Sequence, residues 1–175
     1  MFLRRLQEND AEGMLDWMND PDIQKNFRID MGKRNRDDVL QFIRAAQTEP
    51  EDGKSIHYAV ADEDNRYLGT ISLKNVNLID NNAEYAISMR KCAQGRGIAT
   101  AATKEILRLA FEEFDLKRVY LNVLSTNSRA IHLYEKSGFI YEGEFRDHLF
   151  LNGKYYTLKW YGMLKEDYDT LKCRY

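Results

Sequence analysis

Two short stretches of this chain combine residue types and spacings that could do chemistry. The first runs Ile87-Ser88-Met89-Arg90-Lys91-Cys92-Ala93-Gln94-Gly95-Arg96-Gly97-Ile98-Ala99-Thr100. A strand-like run enters a turn with two glycines, and the turn opens onto a long helical pattern. The first backbone N–H groups of a helix have no intrahelical partner and lie at the positive end of its dipole. They make a site for an anion such as a pyrophosphate, which Gly95 and Gly97 would allow close to the backbone. The same glycines would also serve a plain strand-to-helix turn, because a lone GxG is a weak signal. The Lys-Ser/Thr pair of a P-loop is missing, as is the GxGxxG of a dinucleotide fold. The second stretch is Asn127-Ser128-Arg129-Ala130-Ile131-His132-Leu133-Tyr134-Glu135-Lys136-Ser137-Gly138-Phe139. It places a phenol, protonated at neutral pH with an ordinary pKa of ~10, on a helix with Ile131 and Leu133. Tyr134 also suits a core position there, and Asn127 suits an N-cap.

The elements that must position these stretches are legible from periodicity. Phe2 to Leu6 reads as a short strand, and Asp10 stands as N-cap before an amphipathic helix over Ala11 to Met18. Pro21 breaks that helix. Phe27 to Arg36 reads as a polar, basic loop, and Asp37 to Ala46 as a second helix. Ser55 to Ala61 and Arg66 to Leu73 are strands joined by the turn Asp62-Glu63-Asp64-Asn65. Ala83 to Arg90 alternates, with Tyr85, Ile87 and Met89 on one face and Glu84, Ala86 and Ser88 on the other. Ile98 to Phe114 predicts a long helix and Arg118 to Leu124 a buried strand. Asn127 to Lys136 predicts a helix closed by Gly138 in a left-handed C-cap. Phe139 to Leu151 and Tyr155 to Leu164 form a hairpin around Asn152-Gly153. The order is mixed α/β in one domain, 1–175.

Gln94-x-x-Gly97-x-Ala99 resembles the Q/R-x-x-G-x-G/A motif of the GNAT superfamily of N-acetyltransferases. The second stretch is similar to that family's N-x-x-A-x-x-x-Y-x-K-x-G-F helix, at matching spacing and in the expected order. The resemblance spans roughly Ser55 to Leu164 and looks nearest to the ribosomal-protein-alanine, spermidine and amino-sugar acetyltransferases. It implies a mixed, mostly antiparallel sheet of six to seven strands, splayed at the cofactor site and flanked by about four helices. Segment 1–50 would be the N-terminal strand and acceptor-side helices, 55–136 the acetyl-CoA-binding core and 139–165 the C-terminal hairpin.

The resemblance also implies roles. Acetyl-CoA is the cosubstrate. Its pyrophosphate would lie on the amides of Gln94, Gly95, Arg96, Gly97, Ile98, Ala99 and Thr100, with Asn127, Arg129 and Lys136 nearby. The pantetheine arm would pair with Ile87, Ser88 and Met89, and the Met89 N–H could stabilise the tetrahedral oxyanion. Tyr134 would be the general acid that protonates the departing sulfur. An amine attacks only when neutral, so a base is also needed. Glu84 is the candidate, with a solvated strand-end carboxylate as the alternative. His57, His132 and His148 are the other groups that titrate near neutrality. Nothing pairs Cys92 with a base, so direct attack in a ternary complex is expected rather than an acyl-enzyme.

The acceptor side is less defined. Trp17 to Ile23, the basic residues Arg28, Lys33, Arg34 and Arg36, and the run Phe145 to Tyr156 are expected to border it. A small-molecule amine, an amino sugar or polyamine, is the expected acceptor. Acetylation of a protein N-terminus would call for an open groove instead, and a non-catalytic acyl-CoA-binding protein is the third reading. A net charge of −2 argues against a generic nucleic-acid binder. No residue set has metal-ligand spacing, no apolar run suits a membrane, and the two distant cysteines read as free thiols. A cytoplasmic enzyme is expected, with a homodimer or larger homo-oligomer as its assembly.

Overall fold

Residues 1–27, 30–46 and 48–173 are described by the computed structural model. The strands are β1 (Phe2–Arg5), β2 (Ile56–Ala61), β3 (Tyr67–Asn77), β4 (Asn82–Met89), β5 (Arg118–Leu124), β6 (Ile140–Leu151) and β7 (Lys154–Leu164). They form a seven-stranded sheet in the order β1-β2-β3-β4-β5-β7-β6. Every pairing is antiparallel except that of β4 with β5. The helices are α1 (Ala11–Met18), α2 (Pro21–Gln24), α3 (Arg36–Ala45), α4 (Ile98–Arg108), α5 (Ser128–Lys136) and α6 (Lys165–Lys172).

Among the described residues there are six helices rather than about four, and the two extra ones have simple causes. Pro21 ends α1 but then occupies the first turn of α2, where its missing N–H costs nothing and its fixed φ fits. Helix α6 buries none of its residues fully, so its sequence carries no broad apolar stripe. Only Tyr168 and Leu171 pack from it onto the core. The long helix expected to Phe114 loosens after Arg108 into one wider turn over Leu109–Glu113. Asp10 does precede α1, but its side chain does not cap it. Its buried carboxylate instead accepts from Arg4 and from the Gln7 N–H, each at 2.8 Å.

Apolar residues are buried on both faces of the sheet. On one face Ile71, Leu73, Tyr85, Leu121 and Tyr161 meet Ile106 and Phe111 of the α4 region. On the other, Met14 and Trp17 of α1 and Val39 and Ile43 of α3 cover Ala59 and Tyr67. Burying each large apolar side chain contributes about 1.5–3 kcal/mol. The second cluster therefore fixes α1 and α3 over β2 and β3.

Candidate active site

The strand that feeds the glycine turn parts from its neighbour. Strands β4 and β5 pair only at Asn82↔Arg118, Ala83↔Val119 and Glu84↔Tyr120. Beyond that, β4 runs on to Met89 and β5 to Leu124 with no pairing between them. The backbone of Ile87, Ser88 and Met89 thus faces an open V with its apex at Glu84. An open strand edge of this kind binds extended ligands through main-chain hydrogen bonds.

The loop that follows has the geometry of an anion site. The first helical bond of α4 is Ala101 N–H to the Gly97 carbonyl, at 3.1 Å. Among the described residues, no group accepts from the amides of Gly95, Arg96, Gly97, Ile98, Ala99 or Thr100. Both Gly95 and Gly97 adopt φ of +74°, and a Cβ at either would meet nothing within 4 Å. Six free donors at a helix N-terminus beside open space fit a diphosphate. Gln94 ties the parts together. Its amide donates to the Met89 carbonyl at 3.0 Å, and its oxygen accepts from Arg129 of α5. The two sequence stretches therefore meet in space.

Tyr134 lies on α5, buried, with its ring edge-on to Tyr85 at 5.7 Å and to Phe139 at 6.1 Å. Burial pushes its pKa up to about 12, which keeps the phenol protonated at neutral pH. Its hydroxyl bonds to no described residue. Asn127 is the N-cap of α5, accepting from the Ala130 N–H at 3.2 Å. Lys136 is exposed at the far end of α5, about 10 Å along the axis from Arg129. At Gly138 the chain reverses with φ of +93°, as the left-handed C-cap requires.

On the opposite face of β4 lies a cavity of about 330 Å³. Ala86, Ile87 and Ser88 form its end nearest the V, and Trp17, Phe42, His57 and Lys74 are among its walls. Trp17 is fixed by its indole N–H, which donates to the Tyr67 hydroxyl at 2.9 Å; that hydroxyl lies 2.6 Å from Thr70 Oγ1. The charged side chains on the lining, among the described residues, are Arg34, Asp38 and Lys74. Trp17, Met18 and Arg34, from the stretches expected on the acceptor side, line this cavity. Lys33 instead pairs with Asp30 and Arg36 with Glu12, both in solvent, and Arg28 lies outside the described residues. The last two strands contribute nothing to this lining, because the parting of β4 from β5 sets β7 and β6 on the far side of the V. Ser72 and Lys74 had not been singled out in the sequence. The hairpin turn between β2 and β3 could have found them, since its register sets His57 opposite Ser72.

Glu84 occupies the apex. Its Oε1 accepts from Lys74 Nζ at 3.0 Å and Asn122 Nδ2 at 3.3 Å, and its Oε2 lies 3.4 Å from Asn75 Nδ2. His132 and His148 are exposed, and neither lines the cavity. Cys92 is exposed too. No set of described His, Cys, Asp or Glu residues could hold a metal ion, and no described helix is long and apolar enough to cross a membrane.

The family model for the acetyltransferase (GNAT) domain matches residues 1–140. The chain belongs to the GNAT acetyltransferase family. Among related proteins, the putative ribosomal N-acetyltransferase YdaF of Bacillus subtilis is 35% identical over 106 residues. That match spans 61% of this chain and 58% of the relative. The spermidine N(1)-acetyltransferase of Vibrio cholerae is 32% identical over 117 residues, 67% of this chain and 68% of that one. The crystal structure of the Vibrio cholerae spermidine enzyme in complex with CoA and spermine has a TM-score of 0.84 at 26% identity. It covers 95% of this chain and 96% of that chain. The family uses acetyl-CoA as cosubstrate, and a diphosphate fits the donor set of the loop.

Proposed function

We propose that this GNAT chain transfers the acetyl group of acetyl-CoA to a primary amine of a small molecule, an amino sugar or a polyamine, by direct attack in a ternary complex. One observation carries the reading. The V between β4 and β5 opens on one side to a loop of free amides and on the other to a cavity of ligand size. A thioester laid along Ile87 to Met89 would meet an amine held in that cavity. The amides of Gln94 to Thr100 would grip the diphosphate, with Arg129 beside them and Asn127 shaping the start of α5. Tyr134, protonated and free of other partners, would give its proton to the departing sulfur. A backbone N–H of the open strand would stabilise the oxyanion.

The names of the Vibrio cholerae relatives support a polyamine. A compact cavity beneath α1 and α3 supports a small acceptor over a protein terminus. The Bacillus subtilis relative keeps the second reading, acetylation of a ribosomal protein. A thiol-release screen over amino sugars, polyamines and peptides with free N-termini tests both. Release with small amines supports the first, release with peptides alone supports the second, and release with none removes the enzyme reading.

A further inference from the structure

Proton removal from the attacking nitrogen is the step that the apex carboxylate serves poorly. Both oxygens of Glu84 are engaged, one of them by the ammonium of Lys74, and Glu84 is not part of the cavity lining. His57 is. It projects from β2 into the same cavity as Ala86, Ile87 and Ser88, where the thioester would lie. Register places it in one row with that strand, His57 opposite Ser72 and Ser72 opposite Ala86. Two strand spacings are about 10 Å, which the imidazole and a bound amine close between them, with one water where needed. Its Nδ1 lies 2.8 Å from Ser72 Oγ, and Phe42 packs edge-on against the ring at 4.8 Å. In the tautomer that donates Nδ1–H to Ser72, Nε2 carries the lone pair and is the atom left to accept a proton.

We propose that His57, oriented by Ser72 and Phe42, takes the proton that the acceptor nitrogen releases as it attacks the thioester. The proposal rests on the acetyltransferase reading above. The nitrogen lone pair forms the N–C bond while the carbonyl π pair moves onto oxygen. The proton passes from that nitrogen to Nε2. The oxyanion pair then re-forms the carbonyl, the C–S bond breaks with its electrons on sulfur, and sulfur takes the Tyr134 proton. Solvent afterwards accepts the proton from His57 and returns one to Tyr134.

The charged groups around His57 suit a relay. Lys74 of β3 and Arg34 are cationic, Asp38 of α3 is the one anion on the described lining, and Glu84 is neutralised by Lys74. Burial first, and then Lys74, pull the His57 pKa down to about 4. The imidazole is therefore neutral and ready to accept at pH 7, and an imidazolium formed there gives up its proton readily.

The test is His57→Gln, which keeps a hydrogen-bonding side chain beside Ser72 but cannot take a proton. At pH 7 its kcat should fall about 100-fold or more, with the acetyl-CoA Kd within about twofold of wild type. The deficit should narrow toward pH 10, as hydroxide and free acceptor amine, with a pKa of ~10.4, become able to take the proton that the attacking nitrogen releases. Imidazole should restore part of the activity of His57→Ala, and Glu84→Gln should lose less than His57→Gln. A His57→Gln kcat within about twofold of wild type, or a deficit constant with pH, overturns the proposal. So does a larger, pH-dependent loss in Glu84→Gln. Where His57→Gln melts below assay temperature, His57→Asn takes its place under the same criteria. Wild-type protein that releases no thiol with any amine removes the acetyltransferase reading and the relay together. Active wild type with an indifferent His57 variant removes the relay alone.

Discussion

The two sides of β4 are built in different ways. The proposed cofactor side is made of main chain: six amides with no partner among the described residues, two glycines at positive φ and an unpaired strand edge. The acceptor side is made of side chains brought from α1, α3, β2, β3 and β4, with the indole, phenol and hydroxyl of Trp17, Tyr67 and Thr70 as a polar brace. A backbone site needs few residue types, so it recurs with a recognisable motif. A side-chain site can change its contents without changing the fold. The first should thus be sensitive to backbone conformation and local charge, and the second to packing and to the identity of single polar groups.

The strongest test of the contrast is Gly97→Glu. A side chain at φ of +74° costs about 1–2 kcal/mol in backbone strain, and its carboxylate would stand among the amides proposed to hold the diphosphate. Acetyl-CoA affinity by calorimetry should fall more than about 100-fold while the melting temperature drops by only a few degrees. Retained affinity would show that the loop does not carry the diphosphate. Next in size is Tyr134→Phe. The ring stays packed against Tyr85 and Phe139, but the proton is gone. Turnover should fall between about 10- and 1,000-fold with the Kd for acetyl-CoA unchanged. An unaltered kcat would take Tyr134 out of the chemistry.

The acceptor side should respond differently. Trp17→Phe removes the N–H that donates to Tyr67 and leaves a buried phenol oxygen short of a partner. A cost of about 1–3 kcal/mol follows, readable as a lower denaturation midpoint. The acceptor KM should rise severalfold, and acetyl-CoA affinity should hold within about twofold. A matched loss of both affinities would mean that the two sides are not separable.

The same contrast decides what the sequence disclosed. Strand β5 and helix α1 have the bounds that periodicity assigns to them, and α5 (Ser128–Lys136) runs between its N-cap Asn127 and the left-handed Gly138 as its cap residues require. The shape of the glycine loop was legible because its backbone geometry, with φ of +74° at Gly95 and Gly97, is one that few residues permit. Helices α2 and α6 were not, since one begins with a residue that ordinarily stops a helix and the other buries no full face. Asp10 was placed correctly and assigned the wrong partner, because a local cap and the long-range ion pair with Arg4 call for the same side chain. The cavity was legible only in part. Trp17 and Arg34 stood in stretches expected to border the acceptor, but His57, Ser72 and Lys74 come together through the register of three strands, and register is a tertiary property.

The smallest predicted effect also joins fold to site. His57 has a pKa held down to about 4 in the fold, against 6.5 for the free side chain. Between those values the unfolded chain binds more protons than the folded one, so stability should fall as pH drops from 6.5 toward 4. Above 6.5 both states carry a neutral ring and the contribution is flat. The ring is only partly buried, so solvent screens some of the penalty. A difference of a few degrees in melting temperature is the expected scale. His57→Gln should therefore lose less stability than wild type over that pH range, and the two curves should run parallel above it. Every other ionisable group is common to both proteins and cancels in the comparison. Parallel curves down to pH 4 would mean that the ring is solvated in the folded chain. The cavity would then be wet at its β2 wall, and its acceptor side would lack the desolvated environment that keeps His57 neutral.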